Sequence, residues 1–162
     1  MIRPMMLEDL QSVMEIYNDA ILHTTALYRT HPQTLEEREN WFHEHKKNNE
    51  PMFVYEEDGE VAGFASFNRF YPNEGYKYSM EHSVYVAPKH QGKGIGKKLL
   101  QTLIEEAKKR EVRTLIAVID SENTASIKLH EQVGFQFAGR LKNVGYKFGK
   151  WLDIVYYQLH FY

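Results

Sequence analysis

The stretch Met80 to Leu100, MEHSVYVAPKHQGKGIGKKLL, decides the fold of this chain. It opens as a strand, because Val84 and Val86 alternate with Ser83 and Tyr85 and such residues suit a pleated, half-buried surface. Pro88 ends the strand, since proline offers no N–H to a ladder. Gln91 to Gly96 follows, with glycine at 92, 94 and 96. Behind it Ile95, Leu99, Leu100, Leu103, Ile104 and Ala107 recur at helical spacing, with Lys97, Lys98, Glu105 and Lys108 on the other side. Strand, glycine-rich turn and amphipathic helix in this order have a physical use. Glycines let the backbone approach a ligand, and the first N–H groups of a helix have no internal partner. With the helix dipole they form a site for a phosphate or pyrophosphate, beside which Lys93 and Lys97 add charge. A plain turn between a strand and a helix would leave the same pattern.

Spacing excludes two nucleotide-binding motifs. A P-loop needs Gly-Lys followed by Ser or Thr, and Gly96-Lys97 is followed by Lys98. A dinucleotide fingerprint needs Gly-x-Gly-x-x-Gly, whereas Gly92 to Gly96 reads Gly-x-Gly-x-Gly.

On the N-terminal side, Ile2 to Pro4 reads as a short strand, and Glu8 or Asp9 opens a helix with the stripe Leu10, Val13, Met14, Tyr17, Ala20 and Ile21. Thr34 and Glu37 form a capping box for a second helix running to about Lys47. Met52 to Tyr55 and Val61 to Phe67 read as hairpin strands turned at Glu57-Asp58-Gly59, and 69–77 as a loop. On the C-terminal side, Leu115 to Ile119 is an unbroken apolar run, expected to be a strand buried on both faces. Asn123 caps a helix that ends at Gly134, and Phe135 to Gly139 reads as a strand. Trp151 to Phe161 is apolar on both faces, so this last strand is interior or lies under a partner subunit.

With 162 residues, the chain is expected to form a single domain over 1–162 with one substantial core. A net charge of -2 argues against a nucleic-acid partner. The absence of cysteine excludes disulfides and thiol catalysis. No apolar run reaches membrane length, and Met1 to Met5 leads directly into an amphipathic helix, so a cytoplasmic protein without membrane contact is expected. The eight histidines yield no metal motif: His43 and His45 point to different sides of a helix, and His130-Glu131 begins HExxH but ends on Gly134.

Gln91, Gly94 and Gly96 match the pattern Gln/Arg-x-x-Gly-x-Gly/Ala, the acetyl-CoA signature of the GNAT superfamily of N-acetyltransferases. Asn123 to Phe135 resembles that family's second cofactor-side segment, a helix ending in Gly-Phe. Ile16 to Ala20, Thr30 to Thr34, Glu81 to Val86 and Gly145 to Asp153 are similar to the branch that acetylates phosphinothricin, methionine sulfone and methionine sulfoximine. The matches run in order over nearly the whole chain. The resemblance implies an α/β (α+β) fold, a mixed, mostly antiparallel sheet of about seven strands flanked by about four helices and splayed between strands four and five. It implies acetyl transfer from acetyl-CoA to the α-amine of a small amino-acid-like acceptor by direct attack in a ternary complex. A homodimer is expected from the aromatic C-terminal strand and from the relatives.

The chemistry needs a held cofactor, a deprotonated amine, a stabilised oxyanion and a departing thiolate. Gln91, Gly92, Lys93, Gly94, Ile95, Gly96 and Lys97 are the candidates for the pyrophosphate, and Val84, Tyr85 and Val86 for the pantetheine amides and the oxyanion. Glu81, at the start of the strand, is the candidate base; the bland alternative is a solvated strand-end glutamate. His130 stands where many relatives carry a tyrosine for the leaving thiolate, and shares a helix face with Ser126. Asn123 and Ser126 are further cofactor candidates. By resemblance the acceptor side comprises the segment around Thr24 to Tyr28, the loop residues Arg69, Tyr71, Pro72 and Asn73, and Glu81, His82 and Ser83. Two other readings share these residues: transfer to a protein terminus or lysine, and a non-catalytic acyl-CoA-binding module, against which Glu81 counts.

Overall fold

The computed structural model describes residues 1–161; Tyr162, the last position of the expected domain, lies outside the described residues. The strands are β1 (Ile2–Pro4), β2 (Met52–Glu57), β3 (Glu60–Arg69), β4 (Ser79–Val86), β5 (Thr114–Asp120), β6 (Gln136–Lys147) and β7 (Lys150–His160). The helices are α1 (Leu10–His23), α2 (Leu35–Lys47), α3 (Ile95–Lys109) and α4 (Thr124–Gln132). The strands form one sheet in the order β1-β2-β3-β4-β5-β7-β6, antiparallel throughout except between β4 and β5. This is the expected mixed, seven-stranded sheet with four helices.

Local chemistry accounts for the element ends. Thr34 and Glu37 close the capping box of α2, the Thr34 hydroxyl accepting from the Glu37 N–H at 3.1 Å. Asp58 and Gly59 take φ values of 52° and 78°, the left-handed pair that a tight hairpin requires between β2 and β3. Helix α3 packs Leu99, Leu100, Leu103 and Ala107 on one face of the sheet against Ala65, Phe67, Leu115 and Val155. Helices α1 and α2 cover the other face, where Leu10, Val13, Ile16 and Phe42 meet Met52, Val54 and Phe64. Each helix thus spends its apolar stripe on burial, the largest favourable contribution to folding.

Two expectations need correction, and a third is resolved in favour of one of its alternatives. Val118 is 37% exposed, because β4 and β5 pair only over Ser79–Glu81 and Thr114–Ile116 and then diverge, uncovering the middle of β5. Strand β6 extends from Gln136 to Lys147, well beyond Gly139; irregular pairing with β7 between Phe137 and Gly139 and between Leu141 and Gly145 blurs its alternation. The last strand, β7, is interior: it lies between β5 and β6, which explains its two apolar faces.

Candidate active site

The divergence of β4 from β5 creates the site. The β3–β4 bonds flanking this stretch, Ala87 N–H to Ala62 O at 2.8 Å and Phe70 N–H to Ser79 O at 2.9 Å, place the odd-numbered residues of β4 in hydrogen bonds with β3. The backbone groups of Val84 and Val86 therefore face the gap, where β5 no longer pairs with them. Tyr85 directs its backbone to Phe64, so the N–H groups open to a ligand are those of its even-numbered neighbours.

The glycine loop completes this side. Gly92 and Gly94 sit at φ 80° and 77°, and Gly94 is the N-cap of α3 without any side chain to cap it. The first helical bond is Lys98 N–H to Gly94 O at 3.2 Å, which leaves Ile95, Gly96 and Lys97 with orphan N–H groups. The first turn of α3 holds no acid but contains Lys97 and Lys98, the unfavourable sign for the dipole; α2, by contrast, opens with Glu36 and Glu37. An anionic ligand removes both defects at once. A cleft of about 1080 Å³ runs from this loop along β4 and β5 to α4, lined by Val84, Tyr85, Val86, Gln91, Gly92, Gly94, Ile95, Gly96, Lys97, Asn123 and Ser126. These residues fit the pyrophosphate and amide backbone of acetyl-CoA. Lys93 is outside the lining; its ammonium pairs with Glu57 at 3.1 Å, within a cluster that also holds His90 and Glu60.

A second cavity, of about 420 Å³, opens on the α1–α2 side and shares His82, Ser83, Tyr85, Val118 and Asp120 with the cleft. Glu81 lines it, half-buried, with no hydrogen bond or ion pair among the described residues. Burial alone raises its carboxyl above the ordinary glutamate value of 4.5.

His82 and His130 meet in the wall behind Glu81. His130 Nδ1 lies 2.7 Å from Ser126 O, which can only accept, so Nδ1 carries the proton and Nε2 is bare. His82 Nε2 then donates to His130 Nε2 at 2.9 Å, leaving its own Nδ1 as a buried acceptor without a partner. Both ring nitrogens of His130 are thereby committed within the protein, and its neutral form holds no proton on Nε2 for a leaving thiolate. In this arrangement His130 accepts from His82 at Nε2 and donates to Ser126 at Nδ1. Burial lowers both histidines from 6.5, His82 the further, with His130 adding repulsion. A group with a depressed folded pKa contributes stability above its unfolded pKa and loses it as pH falls. Thermal melts of the ligand-free protein are therefore expected to drop as pH is lowered from about 6.5 toward about 5. His82→Asn, tested in the same melts, should flatten this dependence; an equal slope in both proteins would contradict the assignment.

The segment after α1 forms the outer wall of the acceptor cavity, contributing Ala26, Leu27 and Tyr28. It is tied across the molecule. The hydroxyls of Thr25 and Tyr28 each donate to Asp120 at 2.6 Å, and buried Lys147 donates to Thr24 O at 2.8 Å and Leu27 O at 2.6 Å. The Tyr28 ring lies flat against Gly145, where any Cβ would overlap it. Gly145→Ala is expected to cost about 1–3 kcal/mol as overpacking. It should raise the acceptor KM more than the acetyl-CoA Kd, because Tyr28 walls only the acceptor cavity. Denaturant melts and steady-state kinetics check this, and unchanged values for both would contradict it.

Of the expected acceptor residues, Glu81, His82 and Ser83 line the cavity. Arg69, Tyr71, Pro72 and Asn73 do not: the Arg69 guanidinium donates to Pro72 O at 3.1 Å, its N–H to Glu50 at 2.9 Å, and Tyr71 stacks with Phe70 at 4.4 Å. That loop folds on its own polar and aromatic groups. The sequence reading missed Tyr17, Arg38, Trp41 and Asp120 as lining residues. Arg38 had a visible signal, standing one turn before Phe42 on the buried face of α2.

Comparison with known proteins agrees with this geometry. Residues 10–135 match the model of the acetyltransferase (GNAT) family. An L-methionine sulfoximine/L-methionine sulfone acetyltransferase from Salmonella typhimurium is 43% identical over 151 residues, 93% of this chain and 88% of that protein. A ribosomal-protein-alanine N-acetyltransferase from Brucella melitensis superposes with a TM-score of 0.98 at 44% identity, covering 99% of both chains. A phosphinothricin acetyltransferase from Sinorhizobium meliloti, solved with acetyl-CoA, gives a TM-score of 0.96 at 35% identity, covering 99% of this chain and 87% of that one. The chain belongs to the GNAT family of N-acetyltransferases, and its acetyl donor is acetyl-CoA.

Proposed function

We propose that this chain transfers acetyl from acetyl-CoA to the α-amine of a small amino-acid-like acceptor of the methionine sulfone, methionine sulfoximine or phosphinothricin kind. The carrying observation is Glu81, a half-buried, unpaired carboxylate in the small cavity that opens into the cofactor cleft. When bound, acetyl-CoA supplies an acetyl group activated as a thioester. Glu81 accepts the proton of the acceptor ammonium, directly or through one water, and so frees the attacking lone pair. Burial suits it to this task, because a raised pKa makes the carboxylate a stronger base. The Val84 and Val86 N–H groups face the place where negative charge gathers on oxygen, fixed there by the sheet before reaction begins. His82 and His130 hold the wall between cavity and cleft, and Lys97 adds charge at the pyrophosphate end.

The acceptor cavity supports a small molecule over a polypeptide, since its volume is about 420 Å³ and the segment holding Tyr28 walls one side. One observation favours a protein acceptor, the similarity to the ribosomal-protein-alanine enzyme. Thiol release from acetyl-CoA separates the two readings, with free amino acids and their sulfone, sulfoximine and phosphinate analogues set against short peptides. Saturable turnover of the analogues is expected; turnover of peptides alone would overturn the substrate class.

The same proposal makes the protein a cytoplasmic, single-domain homodimer that uses no nucleic acid and no membrane. Among the described residues no helix is long and apolar enough to cross a membrane. The dimer is supported by the sheet edge β6, where Phe137, Leu141, Val144 and Tyr146 stand exposed beside Trp151 of β7. An uncovered edge of this length and hydrophobicity invites pairing.

A further inference from the structure

Arg38 has no use in the acetyl transfer as described, yet its position is costly. Helix α2 buries one stripe, Arg38, Phe42 and His45, and an apolar residue would be the ordinary choice at its first position. Arg38 is instead 2% exposed, and its side chain makes no ion pair or hydrogen bond among the described residues. Its Nε is sealed from solvent without an acceptor. Its contacts are rings: the guanidinium carbon lies 4.3 Å from the Tyr17 centroid, 4.4 Å from Trp41 and 5.6 Å from Phe64. Those rings grip the faces of the guanidinium and leave its in-plane N–H donors unused.

All four side chains line the acceptor cavity, the same cavity that Glu81 lines. Of its other charged groups, Asp120 is taken by Thr25 and Tyr28, and Arg29 pairs with Glu37 at 3.6 Å. Burial pushes the Arg38 guanidinium down to about 10, with no carboxylate among the influences on it, so it stays charged at neutral pH. A buried, fully charged fork without an anion is strongly destabilising unless an anion arrives with the ligand.

We propose that Arg38 binds the α-carboxylate of the acceptor, holding it by a planar two-bond contact while Glu81 faces its amine. This rests on the function proposed above and narrows it, since it makes the enzyme select acceptors that carry a free carboxylate beside the amine. Such a contact forms only with an oxyanion, so a carboxamide in its place leaves the guanidinium buried and unpaired. Peptides, whose N-terminal residue has its carboxyl in an amide, are rejected for the same reason.

The test compares L-methionine sulfone with its α-carboxamide as acceptors for the wild type, Arg38→Met and Arg38→Lys. Methionine keeps the length and packing of the stem, and lysine keeps the charge. The wild type should favour the free acid by about 10- to 100-fold in kcat/KM. In Arg38→Met that ratio should collapse to within about threefold, mostly through KM for the acid, and Arg38→Lys should restore part of it. A purely structural Arg38 would depress both acceptors equally and leave the ratio intact, which would overturn the proposal. Equal use of acid and amide by the wild type would also overturn it while leaving the acetyltransferase reading standing. Turnover of neither compound by a wild type that acetylates peptides would remove both.

Discussion

Glu81→Gln is expected to lower kcat by about 10²- to 10⁴-fold at neutral pH, the range lost when a positioned proton acceptor is removed. Acetyl-CoA affinity should stay within about twofold, because Glu81 lines the acceptor cavity and is absent from the cofactor lining. Stability gives an independent check. A carboxyl whose folded pKa is raised contributes stability below its unfolded value and loses that contribution as pH rises through the folded one. Ionising Glu81 is therefore a cost to the fold, and above its folded pKa the glutamine variant should melt at least as high as the wild type. A structural glutamate would give the opposite pair, lower melting with activity retained. The wild-type rate should rise with pH through a single ionisation lying above 4.5, and the glutamine variant should lack that limb.

Gly96→Ala is expected to weaken acetyl-CoA binding by about 10-fold, roughly 1.4 kcal/mol, with little effect on the fold. Gly96 does not have the positive φ of Gly92 and Gly94. A Cβ placed there meets Leu129 at 3.6 Å and Val86 at 3.7 Å, ordinary contact distances, so the helix accepts a methyl group. That methyl projects toward Leu129, Val86 and Val84, which line the cofactor cleft together with Gly96. Gly94→Ala would be less informative, since it also strains a left-handed N-cap at φ 77°. Calorimetric titration with acetyl-CoA, paired with thermal melts, checks the prediction. Full affinity in a folded Gly96→Ala protein would show that the cofactor does not approach this turn.

What the sequence disclosed was local. The capping box at Thr34, the hairpin turn at Asp58-Gly59, the Asn123 cap and the glycine loop each depend on neighbouring residues alone, and each could be placed in advance. Glu81 and the loop stood out for the same reason, one strand and one turn carrying both. Long-range geometry was not legible. Nothing near Gly145 announces that Tyr28 will lie on it, and Lys147 reaches carbonyls at Thr24 and Leu27 far back in the chain. Val118 reads as core because apolarity does not distinguish a strand buried on both faces from one lining a slot. Arg69 to Asn73 carries the polar groups expected of an acceptor site, yet closes them on itself. Arg38 was passed over because a charged residue on a capped helix reads as surface until its neighbours are seen to be Tyr17 and Trp41.

The central claim is that Glu81 deprotonates an amine that attacks the thioester directly in a ternary complex. Its most direct test is thiol release measured after rapid mixing of wild type or Glu81→Gln with acetyl-CoA, with and without L-methionine sulfone. The account predicts no thiol burst without acceptor, stoichiometric thiol and N-acetyl product with it, and loss of that step in Glu81→Gln. A burst of thiol in the absence of acceptor, or an undiminished rate in Glu81→Gln, would contradict it.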